Sequence, residues 1–246
     1  MVDDFGSRFL TAEWRHLAML NYAIEPGTLM PLVPKGTELD VWDGKTFVSM
    51  VAFLFLSTRV MGFAIPFHQN FEEINLRFYV RRKAEDGWRR GVVFVKEIVP
   101  RTAIALTARW LYNENYVALP TGNVIVQSPA NGGNIETVKY YWKFRNQAHS
   151  IELTTAGEPS HFVEGSEEEF IVQHHWGYTL QKDGGTLEYQ VEHPPWRIWQ
   201  AHSCRLDCDV KDLYGQRFVR PLSANPSSAF LAEGSEITVY KGQRIT

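Results

Sequence analysis

The stretch Phe71–Val80, FEEINLRFYV, alternates so regularly that it decides how the chain folds. In a β-strand successive side chains point to opposite faces. Ile74, Leu76, Phe78 and Val80 then share one face, and it is wholly apolar. Glu73, Asn75, Arg77 and Tyr79 share the other, which carries an acid, an amide, a base and a phenol in a row. The apolar face is core. The polar face has two readings. One is a solvated surface with an ion pair worth about 0–1 kcal/mol. The other is the inner wall of a barrel, turned toward a cavity in which a few polar groups orient a ligand.

Segments on either side read as further strands. Gly91 to Val99 returns across the turn AEDG (84–87). Leu39 to Trp42 and Thr46 to Phe55 flank Asp43-Gly44, a hairpin dipeptide. In Glu136 to Arg145, Tyr140, Trp142 and Phe144 face one way and Lys139, Tyr141, Lys143 and Arg145 the other. Thr186 to Glu192 and Ile237 to Tyr240 are rich in β-branched and aromatic residues. Turn or loop chemistry recurs at Gln127 to Asn134 (QSPANGGN), KDGG (182–185) and AEGS (232–235).

Helices are few. Pro26 to Leu32 makes a short one, and Arg101 to Tyr112 follows Pro100. Ser166-Glu167-Glu168-Glu169 starts another, with Ser166 capping and Glu169 reaching back. Asp209 to Tyr214 is closed by Gly215. Many strands and few helices predict a mainly β antiparallel barrel or sandwich with helical decoration. No repeat or low-complexity linker divides the chain, so residues 1–246 are expected to form one domain.

Composition narrows the function. Among 246 residues, 25 Lys and Arg stand against 28 Asp and Glu, a net charge of −3, with 44% hydrophobic residues. Such a chain is neither disordered nor a dedicated nucleic-acid binder, which needs a basic surplus. The most apolar run, Phe47 to Val60, is short of the roughly 20 residues that span a bilayer. With no signal-peptide pattern at the start, the cytoplasm is the expected compartment. Cys204 and Cys208 are the only cysteines, and C-x3-C is not a zinc spacing, so two reduced thiols are expected.

Three further stretches hold reactive side chains. Arg109 sits between a small apolar run and aromatics, paired at a core edge or set to grip an anion. His174 and His175 diverge on any regular element and make poor joint metal ligands. One imidazole remains open to acid/base work. In Val191 to Trp199, VEHPPWRIW, two prolines stiffen a cluster of His193, Trp196 and Arg197, either a pinned edge or a pocket wall. The nucleophile elbow, P-loop, dinucleotide fingerprint and H-E-x-x-H are all absent from the sequence.

At FLTAEWRHL, VPKGTELDVWDG, FEEINLR, RRGVVFVKEIVP, HHWGY, VEHPPW and SAFLAEGS the chain resembles the YqjF-like family, a domain of unknown function in the acetoacetate decarboxylase-like superfamily. The resemblance runs from about Phe9 to Gly242. It implies a bent, mostly antiparallel β-barrel with a central cavity and flanking helices, and a polar face of Glu73, Asn75, Arg77 and Tyr79 that looks inward. Acetoacetate decarboxylase itself forms a Schiff base through one of two adjacent lysines. Alignment on Arg109 puts Tyr116 and Val117 at those positions, so imine chemistry there is not expected. Lys96, inside VVFVKEIV, is the alternative lysine, either desolvated inward or snorkelling outward.

Two functions are expected. The first is an enzyme acting on a small carboxylate or carbonyl compound by a lysine-free lyase, hydrolase or isomerase step. Arg77 or Arg109 holds the anion, Glu73 is the acid/base, and His175 or His193 is the second group. Asn75, Tyr79, Tyr116 and Trp196 supply further substrate contacts. The second is a non-catalytic small-molecule binder or sensor. Neither calls for a metal or cofactor, and nucleic-acid and membrane roles are disfavoured.

Overall fold

The computed structural model describes residues 7–100, 115–128 and 134–246. The expected helix Arg101–Tyr112, Arg109 and most of the turn at 127–134 therefore lie outside the described residues. Among the described residues sixteen strands succeed one another: β1 Arg8–Ile24, β2 Glu38–Leu39, β3 Thr46–Val60, β4 Phe63–Ala64, β5 Phe71–Ala84, β6 Gly87–Val99, β7 Tyr116–Ala118, β8 Thr121–Ser128, β9 Asn134–Phe144, β10 Gln147–Thr155, β11 Ser160–His161, β12 Trp176–Leu180, β13 Thr186–Glu192, β14 Arg197–Asp207, β15 Ser228–Tyr240 and β16 Gln243–Arg244.

Their pairings close on themselves. β6 pairs with β5, β5 with β3, β3 with β1, β1 with β15, β15 with β13 and β13 with β12. β12 returns to β6 by a parallel contact that completes the circuit. A second sheet, β8-β9-β10-β14, joins this barrel through β14 and β15.

Each face of the barrel wall buries its own core. Ile74, Leu76, Phe78 and Val80 of β5 pack outward with Tyr140 and Trp142 of β9 and with Leu213 and Phe218 of the short helices Val210–Tyr214 and Gln216–Leu222. Phe71 and Tyr79 pack inward with Met19, Phe47, Val51, Phe55 and Phe170. The period of two read from FEEINLRFYV thus holds, and Glu73, Asn75 and Tyr79 are at most 3% exposed. The solvated-surface reading of that face is overturned.

Bulges bend the wall. Opposite β3, β1 carries an extra residue between Arg15 and Ala18, where His16 has φ +55°. Opposite β1, β3 carries one between Leu56 and Arg59, where Ser57 has φ +53°. A bulge adds twist and re-aims the residues beyond it. It also breaks the alternation, which is why the 17-residue β1 does not read as a strand. AEGS, read as loop chemistry, lies inside β15, with Gly234 at φ +79°. Asp43 and Gly44 do turn with positive φ, bridging Trp42 to Lys45, but Leu39 pairs with Val80 of β5 rather than with β3.

The helix Glu167–Val172 begins as its sequence predicts, with Ser166 Oγ accepting from Glu169 N at 3.2 Å. Glu169 reaches one residue farther back than a capping box requires and accepts from Gly165 N. Ser166→Ala is expected to cost about 1 kcal/mol in urea unfolding. A loss under a few tenths would mean the cap adds nothing here. Among the described residues no helix is long and apolar enough to cross a membrane.

Candidate functional site

The barrel encloses a cavity of about 270 Å³. Its floor and sides are aromatic: Trp14, Phe55, Phe71, Phe94, Tyr189 and Trp196 all line it. Into this apolar chamber come Glu73, Arg77, Glu97, Tyr116, His174 and His193.

A third bulge selects the residues of β6 that face inward. Leu76 pairs with Lys96 but Arg77 pairs with Phe94, so β6 holds one residue too many at Val95. Before it, Val92 and Phe94 face the cavity. After it, Glu97 does, rather than Lys96. Strict alternation from Val92 would have put Lys96 inside. Instead its Nζ donates to the Leu213 carbonyl on the outer layer, beside the Tyr214 ring, where burial lowers its pKa. Glu97, which the sequence does not single out, is 1% exposed and paired across the strands with Asn75.

The acidic end is tightly built. Asn75 Nδ2 donates to Glu73 Oε1 at 3.0 Å, and the Tyr116 hydroxyl donates to Glu73 Oε2 at 3.4 Å. Arg77 takes part in none of the ion pairs found among the described residues. Its Nε is buried without a hydrogen bond, and its guanidinium lies 5.7 Å from the Tyr79 ring centroid. Arg77 as a whole is half-buried, and a partly desolvated cation without a counter-ion gains from a ligand that supplies one.

Histidines form the opposite wall. His193 stacks on Trp196 at 4.1 Å, and Trp196 is pinned by a bond from Nε1 to Ser235 Oγ. His193 Nδ1 must donate to the Pro194 carbonyl at 3.0 Å, since a carbonyl only accepts, which leaves Nε2 as the ring's acceptor. His175 stands behind it, 4.5 Å away, and does not line the cavity. His174 takes the lining position that was expected of its neighbour. Its Nε2 lies 3.1 Å from Asp40 Oδ2, which also accepts from Arg90 Nε at 2.6 Å. Asn75 and Tyr79 are likewise behind the lining. The Tyr79 hydroxyl is engaged with Ser49 at 2.6 Å, and Ser49 with Asn21, because that end of β5 packs against β3 and the helix carrying Phe170.

Burial dominates the imidazoles. It pushes His174 down to about 4 against the pull of Asp40, and His193 down to about 4, helped by His175 and Arg77. Burial acts to raise Asp40, but the bonds from His174 and Arg90 outweigh it and hold the carboxyl below its usual range. Both imidazoles are therefore neutral bases at pH 7. Unfolded, each takes up a proton near pH 6.5, whereas the folded protein refuses it until about pH 4. Stability is thus full above pH 6.5 and falls as pH drops toward 4, by roughly 3 kcal/mol at most for His174. Urea midpoints between about pH 7 and 4.5 should show this slope, and His174→Gln should flatten it. A slope unchanged in that variant would remove His174 as its source.

Comparison with known proteins gives the same architecture. The family model DUF2071, described as an uncharacterized conserved protein, matches residues 11–236. The uncharacterized protein YqjF of Bacillus subtilis (strain 168) is 24% identical over 212 residues, 85% of this chain and 83% of that one. Acetoacetate decarboxylase from Legionella pneumophila superposes with a TM-score of 0.65 at 11% identity, covering 100% of this chain and 90% of that one. The enduracididine biosynthesis enzyme MppR complexed with pyruvate superposes at 0.66 and 11%, covering 98% and 91%. An acetoacetate decarboxylase-like enzyme from Sphingomonas wittichii RW1 gives 0.63 and 14%, covering 97% and 94%.

Proposed function

The chain belongs to the DUF2071 family, and from that premise we propose that its barrel is a site for a small organic acid or carbonyl compound, worked on without a Schiff base. One observation carries the reading: Arg77, with no carboxylate partner among the described residues, shares an apolar cavity with buried Glu73 and Glu97. The substrate carboxylate takes the guanidinium, where a bidentate, charge-assisted contact gains strength from the dry surroundings. That holds the neighbouring carbon or oxygen over Glu73, which moves a proton there, while Tyr116 and Asn75 fix its carboxyl group. His193 Nε2 supplies a second acceptor from the opposite wall. The pyruvate bound by MppR supports an oxo acid as the ligand class.

Among the described residues no lysine lines the cavity, and residues 1–6, 101–114 and 129–133 contain none. Borohydride reduction in the presence of pyruvate or acetoacetate should therefore leave the protein mass unchanged. A reduced adduct on any lysine would refute the lysine-free reading. Arg77→Ala should weaken the binding of whichever carboxylate is retained by about 100-fold in calorimetry. The aromatic wall of Trp14, Tyr189 and Trp196 favours a second reading, binding without turnover, and a screen of oxo acids for product separates the two.

A further inference from the structure

We infer that the acid taken by this cavity carries an extended apolar tail, which runs from Arg77 toward Ile65; the inference rests on the acid-site reading above. Arg77 and Phe71 line the same cavity from the same strand, six residues apart. At about 3.3 Å per residue their backbones are about 20 Å from one another, so the chamber is elongated along β5. Polarity is graded along that length. Arg77 lies toward the end where Val92, the partner of Tyr79, and His174 complete the lining. Glu73 and Tyr116 come next. Beyond Glu73 the lining is mostly apolar, Phe71 stacked on Phe55 at 4.8 Å, then Leu10, Val60 and Ile65, with Thr58 and His68 the polar side chains at this end.

Strand register puts those last residues together at one end of the barrel, for Phe55 pairs with Phe71 and Leu10 with Val60. Ile65 is 42% exposed, so the chamber reaches the surface there. The rim continues in exposed Met61, Phe63 and Phe67 on the connection from β3 to β5. A three- or four-carbon oxo acid anchored on Arg77 would leave this end unfilled. Only an apolar tail would convert its surface into affinity. The ligand that matches the gradient has a carboxylate at one end, a functional group beside Glu73, and an alkyl or aryl-alkyl tail leading to the mouth.

Isothermal titration with the straight-chain acids from acetate to decanoate, the matching alkan-1-ols, pyruvate and acetoacetate tests this. The dissociation constant should tighten about fourfold per added methylene until the mouth is reached. Each acid should bind at least about tenfold more tightly than its alcohol. Ile65→Trp should weaken the longest acids and leave butyrate unchanged. Tight binding of pyruvate and acetoacetate with no dependence on chain length would overturn the tail and leave the acid site standing. Alcohols binding as tightly as acids would overturn the carboxylate anchor. Binding of none of these compounds would overturn both.

Discussion

Gly234→Ala is expected to cost about 3–5 kcal/mol, a large share of the roughly 5–15 kcal/mol that holds a folded domain together. At φ +79° Gly234 occupies the left-handed region, where a side chain is disfavoured. A Cβ would also lie 1.9 Å from the Trp14 carbonyl oxygen and 2.8 Å from Leu17 Cδ1. Neither neighbour can give. Trp14 is held between β3 and β15 and packs edge-on against Phe53 and Phe55, and Leu17 is 1% exposed. The strain has one relief, separation of β1 from β15, and that opens the barrel. Urea unfolding decides the matter, with Gly27→Ala as the control, since a Cβ at Gly27 meets nothing within 4 Å. A Gly234→Ala midpoint within the equivalent of about 1 kcal/mol of the parent would show that the bend does not require glycine.

That same bend shows what pattern reading reaches. FEEINLRFYV announces a strand with two occupied faces because no irregularity interrupts it, and Thr186–Glu192 is legible for the same reason. β1 is not legible, because the bulge at His16 shifts its alternation halfway along. AEGS looks like a loop because glycine is the residue of loops, yet here it bends a strand against its neighbour.

The site divides along the same line. Glu73, Arg77, His193 and Trp196 could be nominated from local chemistry and Tyr116 only through the resemblance to acetoacetate decarboxylase, and all five share one lining. Glu97 could not, since one extra residue at Val95 exchanges it with Lys96, and a bulge leaves no mark in a run such as VVFVKEIV. His174 and His175 are adjacent and chemically identical. Only tertiary packing against Asp40 and Phe170 decides which one lines the cavity. Tyr79 obeys the period yet ends behind the lining, because the inner face of a barrel strand also has to fill its core.

Glu73→Gln is expected to lower turnover of the acid that the screen identifies by about 10² to 10⁴, while its binding changes by less than about threefold. The amide keeps the shape of the carboxyl group: its Oε1 can still accept from Asn75 Nδ2, and the Nε2 that replaces the second oxygen can donate to the Tyr116 hydroxyl oxygen, so the cavity is preserved. What it loses is the capacity to take up and return a proton. Arg77→Ala should do the reverse, losing binding of the carboxylate and, with it, kcat/KM, because the anchor acts on ground state and transition state alike. The two variants together carry the argument. If Glu73→Gln binds and turns over the acid like the parent, Glu73 is a wall residue and the proton passes elsewhere, with His193 the next group to replace. If the parent binds the acid and no product forms under any condition, the cavity is a binding site whose carboxylates orient rather than react.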